Sequence, residues 1–97
     1  MQIEQCTTFI HADDFGITPG QAKDILSLSS SCGGDGALNS VSIFANSPAF
    51  HEAASLAQPH ANRGVLRVCL HLNLVEGPSV ADPKRIPLLV NEKGMFD

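Results

Sequence analysis

The chain has no tryptophan and no tyrosine, so phenylalanine supplies all of its aromatic side chains. A stacking platform for sugars or bases must therefore come from phenylalanine or from outside these 97 residues. Basic residues are also few. The chain has six lysines and arginines and ten acidic residues, which give a net charge of −4. Binding to a phosphate backbone requires clustered positive charge, so we expect no nucleic-acid partner.

Long apolar runs and paired cysteines are missing as well. No run approaches the roughly 20 residues that span a bilayer, and the first residues lack the basic start and apolar core of a signal peptide. The three cysteines, Cys6, Cys32 and Cys69, are widely spaced and form no Cys-x-x-Cys pair. This pattern is neither a disulfide framework nor a cysteine-based zinc site. We therefore expect free thiols, a cytoplasmic location and no membrane partner.

Size and composition indicate one small globular domain. The chain is 43% hydrophobic and 16% charged, a balance typical of folded proteins and unlike that of disordered or collagen-like sequences. No internal repeat and no linker rich in glycine, serine or proline divides the sequence. A single folded unit is the simplest interpretation.

The first part of the chain has the pattern of a strand followed by a helix. Residues 6–11 are rich in β-branched and aromatic side chains and lead into an Asp-Asp-Phe-Gly loop signal. Thr18, Pro19 and Gln21 then match the N-cap, the first position and the capping-box position of a helix. This helix is expected to stop by the glycine pair at 33 and 34.

Two further strands and a second helix follow. The sequence predicts a strand over 37–45 and then a helix, with Ser47 as its cap, Pro48 at its first position and Pro59 at its close. Residues 66–74 alternate strictly, with leucine and valine on one face and mostly polar side chains on the other. This is the clearest strand pattern in the chain.

The alternating order of strands and helices favours parallel β-α-β crossovers. Parallel sheets are normally covered on both faces, so three strands with two helices leave the layer incomplete. The last residues, 86–97, predict a loop or short hairpin and no closing element. We therefore expect an α/β fold, β-α-β-α-β, that forms the first part of a larger one.

Ionisable residues follow two of the predicted strands. Ligand sites of parallel α/β folds lie at the carboxyl ends of strands, where we expect Asp13, Asp14 and His71. One aspartate and one histidine suit a divalent metal ion, and a second aspartate suits a general base acting on water. Spacing alone leaves plainer alternatives open, namely a solvated strand exit for the aspartates and a structural, hydrogen-bonded role for His71.

The remaining polar residues give weaker signals. Three histidines have no partner spacing and are interpreted as structural or surface residues: His11, His51 and His60. Cys69 shares the predicted face of His71 and is either a soft metal ligand or, more simply, a buried thiol that fills space. Asn73 and Glu76 are near enough in sequence to line the same opening.

Three blocks of the sequence resemble the YdjC/ChbG-type carbohydrate deacetylases. They are Ala-Asp-Asp-Phe-Gly at 12–16, Ser-Val-Ser and Asn-Ser-Pro-Ala within 40–49, and Leu-His-Leu-Asn-Leu-Val-Glu-Gly at 70–77. The blocks stand in the family's order and spacing, and the tail from 86 is similar to the segment that follows them. Asp-Asp-Phe-Gly alone is a weak signal, whereas its combination with the histidine block is specific.

The resemblance implies a metal-dependent hydrolase that removes acetyl groups from N-acetylated sugars such as chitooligosaccharides. By position, Asp14 and His71 match the family's metal-binding residues, and Asp13 matches its proposed catalytic base. The implied cofactor is a divalent ion, magnesium or zinc, and the implied partner is an N-acetylated oligosaccharide. The family fold is a distorted (β/α) TIM-like barrel of roughly 250 residues. Residues 1–97 would then be the N-terminal part of a single deacetylase domain, with the rest of the barrel absent.

The resemblance also places a third protein ligand, a histidine of a His-rich segment, beyond residue 97. Two ligands hold a divalent ion poorly, and half a barrel leaves strand edges unpaired. We therefore expect catalysis to require a longer chain. The isolated chain is expected to be marginally stable or to self-associate, so a homo-oligomer is among the expected states.

Two other functions compete with hydrolysis. A non-catalytic remnant of the fold would act as an interaction module and bind a partner through its open sheet edge. A receiver-like phospho-acceptor domain would also place an acidic pair after the first strand. That domain requires an aspartate after the third strand, where this chain has His71.

Overall fold

The computed structural model describes residues 8–96, which contain a parallel sheet of three strands and two α-helices. Along the chain the elements are β1 (His11–Phe15), α1 (Pro19–Leu26), β2 (Ser40–Ile43), α2 (Phe50–Asn62) and β3 (Arg67–Leu70). The strand order is β1-β2-β3, and both neighbouring pairs are parallel. The predicted α/β class and the predicted order of elements are confirmed.

The hydrophobic core lies between the sheet and the two helices. Phe15 at the end of β1 and Val41 in the central strand are fully buried, and Ala53 of α2 belongs to the same cluster. The other buried members of this cluster are Ala22, Leu26, Leu38, Ile43, Ala57 and Leu66. Because both helices contribute to one cluster and contact each other, they cover the same face of the sheet.

The opposite face of the sheet is polar. The register places His11 beside Ser40 and Ser42 beside Cys69, and these residues alternate with the core residues Val41 and Ile43. The two serines are nonetheless buried, because they lie in the central strand between two neighbours. This polar face carries part of the candidate site.

A bulge interrupts β1 where the two aspartates lie. Ala12 pairs with Val41 and Phe15 pairs with Ile43, so β1 has one residue more than β2 between these pairs. Within the bulge Asp14 has a φ of +63°, a left-handed conformation that aspartate tolerates better than most residues. An extra residue re-aims the side chains beside it, and here it returns Phe15 to the core face.

The first strand lies later in the chain than predicted. The start of the predicted strand over 6–11, including Cys6, is outside the described residues, and β1 begins at His11. It includes Asp13 and Asp14, which the sequence pattern assigned to a loop. Aspartate is depleted in strands. Here β1 nevertheless continues past both aspartates, because residues on either side of the bulge pair with β2.

The start of the first helix is confirmed, and its end is earlier than the glycine signal indicates. Thr18 caps α1, and its Oγ1 accepts a hydrogen bond from the backbone N–H of Gln21 at 2.9 Å. The helix ends at Leu26, and a short 3-10 segment follows at Ser30–Cys32. Gly33 ends that segment in a left-handed conformation, so the glycine signal belongs to this turn.

The second helix differs from the prediction at both ends. The hydroxyl of Ser47 donates to the carbonyl of Phe44 at 3.0 Å, and α2 begins three residues later at Phe50. Pro59 lies inside the helix, so its prediction as the last residue was wrong. Proline removes a single N–H, whereas its carbonyl still accepts from the N–H of Arg63 at 3.2 Å and continues the final turn.

The second and third strands are shorter than the predicted spans, 37–45 and 66–74. The N–H of His71 still donates to the carbonyl of Ile43 at 2.9 Å, but Ile43 is the last residue of β2. The following residues of the alternating run therefore have no strand beside them. Three leucines of this run are exposed in the described part of the chain, Leu70, Leu72 and Leu74.

The last described residues turn back on themselves, as the loop or hairpin prediction requires. Isolated antiparallel bridges join Pro78 to Met95 and Val90 to Phe96. A short 3-10 segment, Pro83–Arg85, lies between Pro78 and Val90 along the chain. Neither helix of the described chain combines the length and apolar character needed to cross a bilayer.

The core position of Val41 gives a direct test of this packing. We expect Val41→Ala to lower the free energy of unfolding by about 2 kcal/mol, because it removes buried methyl groups and leaves a cavity. Val75→Ala is the matched control, since Val75 is 76% exposed and its truncation should change stability by less than about 0.5 kcal/mol. Chemical denaturation of both variants measures the difference. Equal effects at the two positions would contradict the assigned core.

Candidate metal and catalytic site

Asp14 and His71 meet across the carboxyl end of the sheet. Nδ1 of His71 lies 3.2 Å from Oδ1 of Asp14, although Asp14 is in β1, His71 directly follows β3, and β2 lies between these two strands. The His71 nitrogen is buried, and this contact does not have the geometry of a hydrogen bond. A buried ring nitrogen that faces a carboxylate oxygen without a hydrogen bond is suited to sharing a cation with it.

The imidazole of His71 is held in place by Phe44, which follows β2. The two rings are stacked, with centroids 4.1 Å apart and an angle of 30° between their planes. This contact fixes the plane of the imidazole from one side. The orientation of the imidazole ring is therefore set by packing as well as by the backbone at the end of β3.

Asp13 belongs to a different set of contacts on the polar face. Its Oδ1 accepts a hydrogen bond from the hydroxyl of Ser42 at 3.0 Å and lies 3.3 Å from Nε2 of His11. The Asp13 side chain is 70% exposed, so its carboxylate remains accessible to a ligand. The bulge thus gives the two successive aspartates separate partners.

The side chain of Gln21 clamps the backbone of the bulge to the first turn of α1. Its Oε1 accepts from the N–H groups of Gly16 and Ile17 at 3.0 and 3.1 Å. Its Nε2 donates to the carbonyl of Asp14 at 2.6 Å. In a capping box the side chain at this position accepts a hydrogen bond from the backbone N–H of the N-cap residue. The side chain of Gln21 instead binds the backbone around Asp14 and keeps that residue in its left-handed conformation.

Gly16 closes the turn that follows the aspartates. Its φ is +104°, and a Cβ at this position would lie 3.1 Å from Cβ of Ala53 and 3.2 Å from the hydroxyl of Ser47. Both the conformation and the close approach of α2 therefore require glycine. This explains physically why Asp-Asp-Phe-Gly ends in that residue.

Two asparagines tie the loops after β2 and β3 together. The amide of Asn46 donates to the carbonyls of Glu76 and Pro78 at 3.2 and 3.0 Å. The amide of Asn73 donates to Oδ1 of Asn46 at 3.3 Å and to the carbonyl of Glu76 at 2.9 Å. Glu76 takes part through its backbone, so the expectation that it lines the opening stays a prediction.

An apolar groove of about 300 Å³ opens beside His71. Side chains from the segment after β3 form much of its wall, including Leu72, Val80, Ile86, Leu89 and Phe96. Apart from His71, the polar residues in its lining are Asn46 and Asn73, and the other lining residues are apolar. It is a suitable shape for a small apolar group next to a polar centre.

The described residues bring together two side chains of types that can ligate a metal ion, and not a set of three. Within residues 8–96, no group of three or more histidine, cysteine, aspartate or glutamate residues is placed to hold a metal ion. Cys69 is a half-buried free thiol on the polar face. His60 lies with Nδ1 2.6 Å from Nη2 of Arg63, and His51 is exposed on α2.

The sequence does not predict the contact between His11 and Asp13. The sequence pattern indicates a structural or surface histidine, and the structure places Nε2 of His11 3.3 Å from Oδ1 of Asp13. Residues two apart in a strand share a face, so the spacing of His11 and Asp13 contained the signal. The predicted strand ends at His11, so the pattern does not place His11 and Asp13 on one strand.

Comparison with known proteins identifies a family and its relatives. A family model described as YdjC-like protein matches residues 8–97. A carbohydrate deacetylase of Thermoanaerobacter pseudethanolicus is 33% identical over 89 residues, which are 90% of this chain and 32% of that protein. A carbohydrate deacetylase of Geobacillus stearothermophilus is 38% identical over 87 residues, with 90% of this chain and 31% of that protein covered.

A solved structure has the same local fold. A proposed cellobiose-phosphate cleavage protein from Enterococcus faecalis V583 superimposes with a TM-score of 0.74 at 31% sequence identity. The match covers 91% of this chain and 32% of that one. The chain thus spans about a third of the length of the curated relatives it matches.

The Gln21 clamp leads to a stability prediction. Gln21→Leu keeps the size of the side chain but removes three hydrogen bonds to the bulge. We expect the free energy of unfolding to fall by about 2 kcal/mol, because backbone groups of the turn lose their partners. Gln58→Leu, at an exposed position of α2, is the matched control and should change stability little. Similar values for the two variants in chemical denaturation would show that the clamp is not stabilising.

Proposed function

The chain belongs to the YdjC-like protein family, and on this basis we propose that it carries part of the active site of a metal-dependent carbohydrate N-deacetylase. The curated relatives named carbohydrate deacetylases support the reaction class. The single observation that carries the proposal is the contact between Asp14 and His71, whose buried Nδ1 has no hydrogen-bond partner within residues 8–96. The proposed activity is that of the full-length protein.

The residues present fit a divalent metal ion. Asp14 offers a carboxylate oxygen and His71 offers the buried Nδ1, and this donor pair suits zinc while also admitting magnesium. A bound ion would supply Lewis-acid polarisation of the acetamide carbonyl. A further ligand from outside the described residues would complete the site, as the family resemblance implies.

Asp13 is the proposed general base. Its exposed carboxylate accepts a proton from water as the water oxygen bonds to the acetamide carbon. Cleavage of the carbon–nitrogen bond then gives acetate, and the proton ends on the released amine. The hydrogen bond from Ser42 to Oδ1 holds the carboxylate during this transfer.

The proposed substrate is an N-acetylated sugar, with chitooligosaccharides as the expected class. The apolar groove beside His71 offers space for a group the size of an acetyl methyl next to the polar centre. Since the chain has no tryptophan or tyrosine, we propose that stacking against a sugar ring comes from other parts of the protein.

We also propose that the sheet is the first part of a distorted (β/α) barrel. Its strands follow one another in sequential order, and both helices cover the same face. Helices on a single face are typical of a barrel wall, whereas a doubly wound sheet carries helices on both faces. The polar face with Asp13 would then be the interior face of the barrel.

An interaction module is the second candidate function. The observation that favours it is the pair of exposed leucines that follows the edge strand β3, Leu72 at 77% and Leu74 at 60% exposure. Acetate release from N-acetylated sugars by the full-length protein separates the two candidates. A protein that binds metal but releases no acetate would favour the interaction module.

Metal binding tests the assigned ligands. We expect Asp14→Asn and His71→Gln each to weaken zinc binding to the full-length protein by at least about 10-fold, since each removes one donor atom. His51→Gln, on the exposed surface of α2, is the matched control and should leave the affinity unchanged. Equilibrium dialysis with zinc and with magnesium measures the effect. Unchanged affinity in both site variants would remove Asp14 and His71 from the metal site.

The role of Asp13 is tested by the isosteric variant Asp13→Asn. Loss of a general base should lower kcat for acetate release by about 100- to 10,000-fold, with little change in zinc affinity. The asparagine keeps an oxygen that Ser42 can bind, so the structure of the site should be retained. A variant with the kcat of the wild type would contradict the assignment of Asp13 as the base.

A further inference from the structure

We propose that His11 is the positioning residue for Asp13, and that its Nε2–H fixes Oδ1 of the carboxylate so that Oδ2 faces the reacting water. This inference rests on the proposed function, because it assigns to His11 a role in the same reaction. His11 itself touches neither the metal pair nor the reacting atoms. It acts through the carboxylate that it holds.

Two neighbours lie against one oxygen of Asp13. The hydroxyl of Ser42 donates to Oδ1 at 3.0 Å, and Nε2 of His11 lies 3.3 Å from the same atom. Ser42 approaches from the neighbouring strand, whereas His11 lies two residues earlier on the strand of Asp13. The hydrogen bond from Ser42 and the close approach of His11 together restrict rotation of the carboxylate.

The proposed role of His11 requires its proton to lie on one particular ring nitrogen. A carboxylate can only accept a hydrogen bond, so a neutral His11 must carry its hydrogen on Nε2 to bind Asp13. Nδ1 is then an acceptor, and it lies 2.6 Å from the hydroxyl oxygen of Ser40. Ser40 is 2% exposed, and in this proposed tautomer its hydroxyl donates to Nδ1 of His11.

The resulting chain runs from Ser40 through His11 to Asp13. It begins at a buried residue in the central strand and ends at a side chain that is 70% exposed. An exposed carboxylate without such support rotates freely, and each misoriented state is unproductive. Fixing the carboxylate before substrate binds lowers the entropy lost in the reaction.

Three substitutions at His11 separate positioning from folding. Gln places an amide nitrogen where Nε2 stood, whereas Asn reaches only the position of Nδ1, and Ala removes both. We expect His11→Ala and His11→Asn to lower kcat for acetate release by about 10- to 100-fold with KM and zinc affinity unchanged. His11→Gln should recover most of the lost kcat in the full-length protein. Equal kcat values for the Gln and Asn variants, or a change confined to KM, would overturn the proposal.

A second measurement does not depend on activity. Long-range proton–nitrogen correlation spectra of histidine-labelled protein at alkaline pH report which nitrogen of a neutral imidazole is protonated. We expect His11, assigned by the loss of its signals in His11→Gln, to be protonated on Nε2. Protonation on Nδ1 would overturn the proposal whatever the activity. A wild-type protein that releases no acetate would instead reject the proposed function, and the spectra would still decide the contact between His11 and Asp13.

Discussion

In a regular strand Asp13 and Asp14 would point to opposite faces of the sheet, because successive side chains alternate. The extra residue that β1 carries against β2 changes this relation and places Asp14 in a left-handed conformation. Asp14 thereby reaches His71 across the end of the sheet, while Asp13 stays with the serine of the neighbouring strand. The bulge also returns Phe15 to the core, so the site and the packing depend on the same residue insertion.

The bulge is kept by structure outside the strand. Gln21 binds three backbone groups of the turn, and Gly16 gives α2 room to approach it closely. The start of α1 therefore does two things. Thr18 caps the helix, and Gln21 binds the backbone of the turn that carries the two aspartates. This coupling links helix position to site geometry, because a shift of α1 would move the carbonyl of Asp14 with it.

The sequence predicted the type and order of the elements better than their ends. Strand and helix periodicity, with the cap at Thr18, identified β-α-β-α-β and the parallel sheet. The predicted strand ends were wrong where pairing with a neighbouring strand decides them. β3 ends at Leu70 because its partner β2 ends at Ile43. Pro59 was misassigned because a helix tolerates one missing N–H near its end when the proline carbonyl still finds a donor.

By itself the sequence determined the composition limits, the α/β order and the motif residues Asp13, Asp14 and His71, because these depend on local periodicity and residue chemistry. It could not show that Asp14 and His71 touch, since they are 57 positions apart and meet only through the parallel sheet. It also could not place His11 and Ser40 behind Asp13, because that arrangement follows from the register of β1 with β2. Such register is set by packing between distant segments, which local patterns do not encode.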